Sequence, residues 1–452
     1  MNLTLESAKT ATGGNLRNAD DFPMSLRIVT DTRSLRAGDT FLALRGERFD
    51  GHDYLGAAVT AGAGAVIIDE PSAALEGVAT LVVSDTKRAY MDLATAARAQ
   101  YSGRVVAITG STGKTTVKVF LAQLLRAHFG AERVSTAPAN ENNEIGVSKL
   151  LLATEPGIDV VVVEMGARHP NDIAELVGVA KPHLGVLTNI GEAHLEIFGS
   201  HEVLAQTKWG LFSGGAQAIL NAHDSVSQDR APSLALPPRW FGVGEPTLPG
   251  TYVVDEATLA LTDASPACRL AIETHLPGRH NLANLAAAIA AARVLGVPVD
   301  AIVRTLGDVA LPPGRYERIA IGDCAYVYDA YNANLSGMLA ALEAFATESA
   351  LRRIAVLASM AELGAGSAEM HRRAGAAATA SGVDMLLVGG AFATDLERGA
   401  LDAGLSAERI VPFENNGAAI RWLRAHVRPG DAVLLKGSRV YRLEEIVEAM
   451  RV

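Results

Sequence analysis

Short runs of consecutive apolar residues, rich in β-branched side chains, recur along the chain. They are Val105-Val106-Ala107-Ile108, Val160–Val163, Gly185-Val186-Leu187, Ile354-Ala355-Val356-Leu357, Met385–Val388 and Ala432–Leu435. Unbroken runs of this kind suit strands covered on both faces, and the alanine-rich stretches between them suit crossover helices. Such alternation predicts parallel sheets in α/β domains. No fixed-period repeat or low-complexity tract interrupts it.

Two shifts in the pattern predict boundaries. Asp85–Tyr101 reads as a polar-faced helix joining a first segment to the strand at Arg104–Ile108, and the cluster Leu311-Pro312-Pro313-Gly314 precedes a new strand at Ala325–Tyr328. Three domains are expected, over residues 1–85, 86–311 and 312–452.

Composition narrows the classes. With 49% hydrophobic residues over 452 positions there is apolar material for several cores, so disorder is excluded as the main state. The formal charge of −10 gives no bulk attraction for nucleic acid or anionic lipid. A polyanionic ligand must therefore be held locally, by amides, cations or a metal. The cysteines, Cys268 and Cys324, cannot build a disulfide framework, which suits a reducing compartment. No signal peptide is visible at the N-terminus and no apolar run approaches a membrane span, so a cytoplasmic protein is expected.

The strongest local signal is Thr109-Gly110-Ser111-Thr112-Gly113-Lys114-Thr115-Thr116, after a strand and before the helix Val117–His128. Glycines there let backbone amides close around phosphates, and a helix N-terminus adds favourable partial charge. Lys114 reaches the outer phosphates and the Thr115 hydroxyl a magnesium ion. The general P-loop pattern has a Gly where this chain has Ile108, so the match is to a shorter variant.

Other candidates follow the same strand-end logic. Glu164 closes the run Val160–Val163 as a candidate Mg²⁺ ligand, and His194, in Thr188-Asn189-Ile190-Gly191-Glu192-Ala193-His194, as a metal or phosphate contact. By spacing alone Lys208 reads as a surface lysine. His280, Asn281 and Asn284 open an alanine-rich helix, where they either cap it or contact a purine. Arg315 could neutralise a phosphate and Asp329 take ribose hydroxyls, while the asparagines of Tyr331-Asn332-Ala333-Asn334 could equally form a turn. Leu435-Lys436-Gly437-Ser438-Arg439 ends a further buried strand and could bind an anion.

Taken together these motifs resemble the Mur ligase family, which makes peptidoglycan precursors. The carrying residues are the sequence 109–116, Glu164, His194, His280 with Asn281 and Asn284, Arg315 and Asp329. Further likeness lies in Asp31-Thr32-Arg33, Leu44–His52 with Arg45, Asn140–Gly146 with Asn142 and Asn143, Asn332 and Asn334, and Ala361-Glu362-Leu363-Gly364 with His371.

The resemblance implies a small α/β UDP-binding domain, a central P-loop parallel-sheet ATPase domain and a C-terminal Rossmann-like domain. It implies an ATP-dependent ligase, working through an acyl phosphate, that joins D-alanyl-D-alanine to UDP-N-acetylmuramoyl-tripeptide. Thr115 and Glu164 would hold one Mg²⁺, His194 and Lys208 a second, with Lys208 carbamylated. Thr109 to Thr116 would wrap the phosphates, His280, Asn281 and Asn284 the adenine, and Asp329 the ribose. Substrate contacts would come from Asp31, Thr32, Arg33, Arg45, Asn142, Asn143, Asn332 and Asn334. The polar, uninterrupted layout of the chain makes a monomer the expected state. The alternatives are a sister ligase adding a diamino acid to a shorter peptide, or a nucleotide-binding regulator without catalysis.

Overall fold

The computed structural model describes the chain except residues 1–2, 19–21, 47–48, 139–140, 192–194, 245–247, 249, 255–257, 262–267 and 452. Among the described residues the strands form three sheets of five, nine and six strands. In spatial order the central sheet begins Val134–Thr136, Val160–Glu164, Arg104–Thr109, Leu184–Leu187, Gln217–Asn221, Arg239–Val243 and Thr251–Val254, all parallel. Thr258–Leu261 and Cys268–Ala271 extend it antiparallel.

The unbroken apolar runs split cleanly between two faces. Val106, Ile108, Val160 and Val162 pack with the helices Lys114–Phe129 and Arg279–Val294. Their neighbours Val105, Ala107, Val161 and Val163 pack with Glu144–Ala153 and Asp172–Ala180 on the other side. A period-2 alternation of faces therefore leaves no polar position, because both faces are covered. The centre of Arg279–Val294 is enclosed all round, with residues 286–292 at 0% exposure. Alanine at every one of those positions but Ile289 lets the sheet and a neighbouring helix approach at once.

The first sheet runs Asn15–Arg17, Thr80–Val82, Ala65–Ile68, Thr40–Leu42 and Ile28–Val29, parallel apart from its first strand. The third runs Glu317–Ile321, Cys324–Tyr328, Asp431–Lys436, Arg352–Ala358, Met385–Gly389 and Ile410–Phe413, again antiparallel only at one end. The apolar pattern did not single out the antiparallel strands. Asn15–Arg17 and Glu317–Ile321 have no buried residue, so they carry no apolar run to announce them.

The helix Thr86–Gln100 starts at Asp85, whose carboxylate accepts from the Arg88 amide at 2.7 Å. Tyr90, Leu93 and Ala97 pack into the first domain's core, whereas Met91 and Ala94 pack under the central sheet. Buried Arg98 fastens its far end, donating to the carbonyls of Ala180 at 2.7 Å and Lys181 at 2.9 Å.

In the third domain the helices Ser367–Ala380 and Ala393–Asp402 cross at two glycines. A Cβ on Gly375 would run into the Leu396 carbonyl, and one on Gly399 into that of Arg372. Gly399→Ala should therefore destabilise the third domain by about 1–3 kcal/mol, as overpacking does. Gly178, on the exposed face of the helix Asp172–Ala180, faces open space, so Gly178→Ala should stabilise by roughly 0.5–1 kcal/mol. Denaturant midpoints of the two variants, moving in opposite directions, check both statements.

Candidate active site

The strand Arg104–Thr109 has Val160–Glu164 on one side and Leu184–Leu187 on the other, in a register pairing Ile108 with Glu164 and Thr109 with Leu187. The chain leaves in opposite directions on either side of it, the place where a doubly wound sheet opens a crevice beyond its strand ends. A cavity of about 1020 Å³ lies there.

Gly110 (φ +146) and Gly113 (φ +82) take backbone angles that other residues avoid. Their missing side chains also make room: a Cβ on Gly110 would meet the Thr188 hydroxyl, and one on Gly113 the Asn284 amide. The helix Lys114–Phe129 begins with no side chain capping its first amides. An uncapped helix start opening on a cavity is an anion site. Thr188 and Asn189, which the sequence reading assigned no role, hold the loop's shape. The Asn189 Oδ1 accepts from the Thr112 amide at 3.1 Å, its Nδ2 donates to the Thr112 hydroxyl at 2.7 Å, and its carbonyl accepts from the Ser111 amide at 2.9 Å.

Glu164 is 2% exposed. Its carboxylate accepts from the Thr115 hydroxyl at 2.9 Å and from the Asn142 amide at 3.0 Å, and pairs with the Lys118 ammonium at 3.3 Å. Lys118, which also donates to the carbonyls of Ala137 and Pro138, was not singled out in the sequence because nothing in its spacing separates it from a helix-surface lysine. The two oxygen donors, Thr115 and Glu164, suit a hard divalent cation that keeps waters and phosphate oxygens as further ligands. No three His, Cys, Asp or Glu side chains among the described residues cluster to hold a metal by themselves. His194 lies outside the described residues.

Lys208 is not on the surface, as its spacing suggested, but 2% exposed. The helix His201–Trp209 packs it beneath the loop, where its Nζ donates to the Gly110 carbonyl at 3.1 Å. Lys114 donates to the same oxygen at 2.8 Å. Burial, and after it the charge of Lys114, push the Lys208 amine well below its ordinary value; burial also lowers Lys114.

The third domain completes the walls. Arg315 and Asp329 face the same cavity as Lys114, and the Lys436 ammonium, buried at the end of Asp431–Lys436, pairs with the Asp329 carboxylate at 2.8 Å. His280, Asn281 and Asn284 also line it, and Asn281 Nδ2 donates to the Pro277 carbonyl at 2.9 Å.

Of the expected substrate contacts, Arg45, Asn142, Asn143, Asn332 and Asn334 line the cavity. Asn143 and Asn334 are at the same time helix caps, accepting from the Gly146 amide at 3.0 Å and the Gly337 amide at 2.9 Å. Asp31, Thr32 and Arg33 do not line it. Asp31 instead pairs with Arg33 at 2.6 Å, and that hydrogen bonding holds its carboxyl down at about 2. The Thr109 hydroxyl turns away too, donating to the Met165 carbonyl at 2.8 Å.

Three family models match the chain in succession. The model for the Mur ligase family catalytic domain matches residues 27–107, the Mur ligase middle domain 108–292, and the Mur ligase glutamate ligase domain 314–439. A UDP-N-acetylmuramoyl-tripeptide–D-alanyl-D-alanine ligase from Synechocystis is 38% identical over 434 residues, covering 94% of this chain and 91% of that one. The crystal structure of MurF from Acinetobacter baumannii superposes with a TM-score of 0.87 at 28% identity, covering 100% of this chain and 99% of that one. MurF ligase from Thermotoga maritima in complex with ADP gives 0.80 at 29% identity, covering 94% and 97%.

His280 yields a pH dependence. Burial pushes its imidazole down to about 4 from an ordinary 6.5, opposed by the Asp329 charge and reinforced by that of Lys436. The folded chain holds the ring neutral while the unfolded chain takes up a proton, so stability is full above pH 6.5 and is lost toward about 4. Thermal unfolding should accordingly fall less steeply across that window in His280→Gln than in the parent protein.

Proposed function

The chain belongs to the Mur ligase family, and we infer from that membership and from the site that it is an ATP-dependent ligase joining D-alanyl-D-alanine to UDP-N-acetylmuramoyl-tripeptide. The observation that carries this is the meeting of all three domains in one cavity. Arg45 and Phe49 enter from the first, residues 111–116 and Glu164 from the second, and Arg315, Asp329 and Asn332 from the third. A nucleotide-binding module alone has no use for walls from two further sheets.

ATP would lie with its phosphates on the amides of residues 110–116 and its nucleoside toward His280, Asn284 and Asp329. The tripeptide carboxylate attacks the γ-phosphorus, ADP departs, and an acyl phosphate forms. The dipeptide amine then attacks the acyl carbon, loses a proton, and expels phosphate to leave the amide. Two anions approach in the first step, so fixed positive charge is the main requirement. Lys114 and Arg315 supply it from opposite domains. A magnesium ion held by Thr115 and Glu164 would add charge neutralisation on the phosphates. His194 and Lys208 are the proposed holders of a second ion.

The amine that adds carbon dioxide is the deprotonated one, and burial favours that form of Lys208. Carbamylation would convert the site's most deeply buried cation into an oxygen-donor anion. The reading takes the enzyme as a cytoplasmic monomer. No helix among the described residues is long and apolar enough to cross a membrane.

Phosphate release from ATP with UDP-N-acetylmuramoyl-tripeptide should require D-alanyl-D-alanine and yield the pentapeptide. Turnover with a diamino acid in place of the dipeptide would transfer the assignment to a sister ligase. ATP binding without turnover on any amine would make the chain a regulator. Lys114→Met should lower kcat by roughly 10²–10³-fold, the usual effect of removing a charge-stabilising donor. In ¹³C-bicarbonate, a carbamate NMR signal should appear for the parent protein and be missing from Lys208→Met. A signal of equal size in both would remove the carbamate from the scheme.

A further inference from the structure

Arg315 is held in an unusual way for a half-buried cation. No carboxylate or carbonyl among the described residues takes a hydrogen bond from its guanidinium. Instead its central carbon lies 4.1 Å from the centre of the Tyr331 ring. The exposed Arg439 approaches the same ring at 5.4 Å. The backbone ties the two segments together as well. Gly314 (φ +70) donates its amide to Glu317 Oε2 at 2.9 Å, and its carbonyl accepts from the Tyr331 amide at 3.3 Å. A Cβ on Gly314 would sit 3.3 Å from the Tyr328 ring and 3.6 Å from the Tyr331 side chain, so the turn lies flat against both.

We propose that Tyr331 is the positioning residue for Arg315, holding the guanidinium by its face so that every edge donor stays free for the transferring phosphate. A carboxylate partner would position the arginine equally well, but it would occupy the forked N–H donors and neutralise the charge the reaction needs. A ring face does neither, because a guanidinium stacked on it turns its own face to the ring and keeps its N–H edges outward. It also removes rotamer freedom before substrate arrives, which a long side chain otherwise loses on the way to the transition state. The inference rests on the reading of Arg315 as the cation facing the γ-phosphate.

The test uses the full-length enzyme and the dipeptide-dependent phosphate release described above. Dipeptide-independent or absent turnover in the parent protein would discard that reading before any variant is compared. Given parent turnover, Tyr331→Phe, which keeps the ring, should stay within about two-fold in kcat. Tyr331→Leu, which keeps apolar bulk but no quadrupole, should lose roughly three- to thirty-fold in kcat with the KM for ATP and dipeptide little changed, the range a partly desolvated cation–π contact supports. In an Arg315→Lys background the difference between Phe and Leu should shrink toward unity. Should Tyr331→Leu fail to fold, pentafluorophenylalanine at 331 preserves the shape and reverses the ring's quadrupole, and the same loss is expected. A Leu or pentafluoro variant as active as Phe would overturn the proposal. So would a loss that appears in the dipeptide KM, or equal losses for Phe and Leu.

Discussion

Burying a carboxylate without partners costs several kcal/mol, and the Glu164 side chain ends a strand that is enclosed on both faces. It is tolerated because three donors from two other segments converge on it: Thr115 and Lys118 from the helix after the P-loop, and Asn142 from the loop before the helix Glu144–Ala153. Each of those segments carries other business of the site. The helix opens its uncapped first amides onto the cavity, and the loop carries Asn143 into it. One charge at a strand end thus fixes the position of the helix Lys114–Phe129 relative to the loop that carries Asn142 and Asn143.

A second constraint is the crowding of cations under the loop. Lys114 and Lys208 share one carbonyl oxygen, that of Gly110, with the Lys208 amine buried beneath the loop. Two full positive charges so placed repel strongly at low dielectric. Lowering the pKa of the deeper amine, or converting it chemically, relieves the repulsion, and an arriving polyanion relieves what remains. The overall charge of −10 does not conflict with this, since it reports on the exposed surface while affinity for phosphate is set by a few buried groups.

Much of this was legible along the chain. The unbroken apolar runs announce strands covered on both sides, and the glycines of 109–116 announce a loop that must close on something small and anionic. What the pattern could not give was depth. Lys118 and Lys208 are 3% and 2% exposed, yet both read from spacing as solvated lysines, because what buries them is a partner segment remote in sequence. The antiparallel edge strands Asn15–Arg17 and Glu317–Ile321 were missed for the opposite reason, since half-exposed strands need no apolar run. Asparagines proved ambiguous in both directions: Asn143 and Asn334 cap helices and line the cavity together, so the structural and functional readings of these residues were never exclusive.

The helix Thr86–Gln100 has one flank in the core of the first sheet and the other beneath the central one. It belongs to neither alone. A first domain separated ahead of it would expose the apolar bed that Tyr90, Leu93 and Ala97 fill, and a central domain separated behind it would lose Met91 and Ala94. The two domains are therefore not interchangeable cassettes. Recombination that trades the first domain between relatives must cut on the far side of this helix and rebuild its other face, so any change in that domain reaches the central one through shared packing.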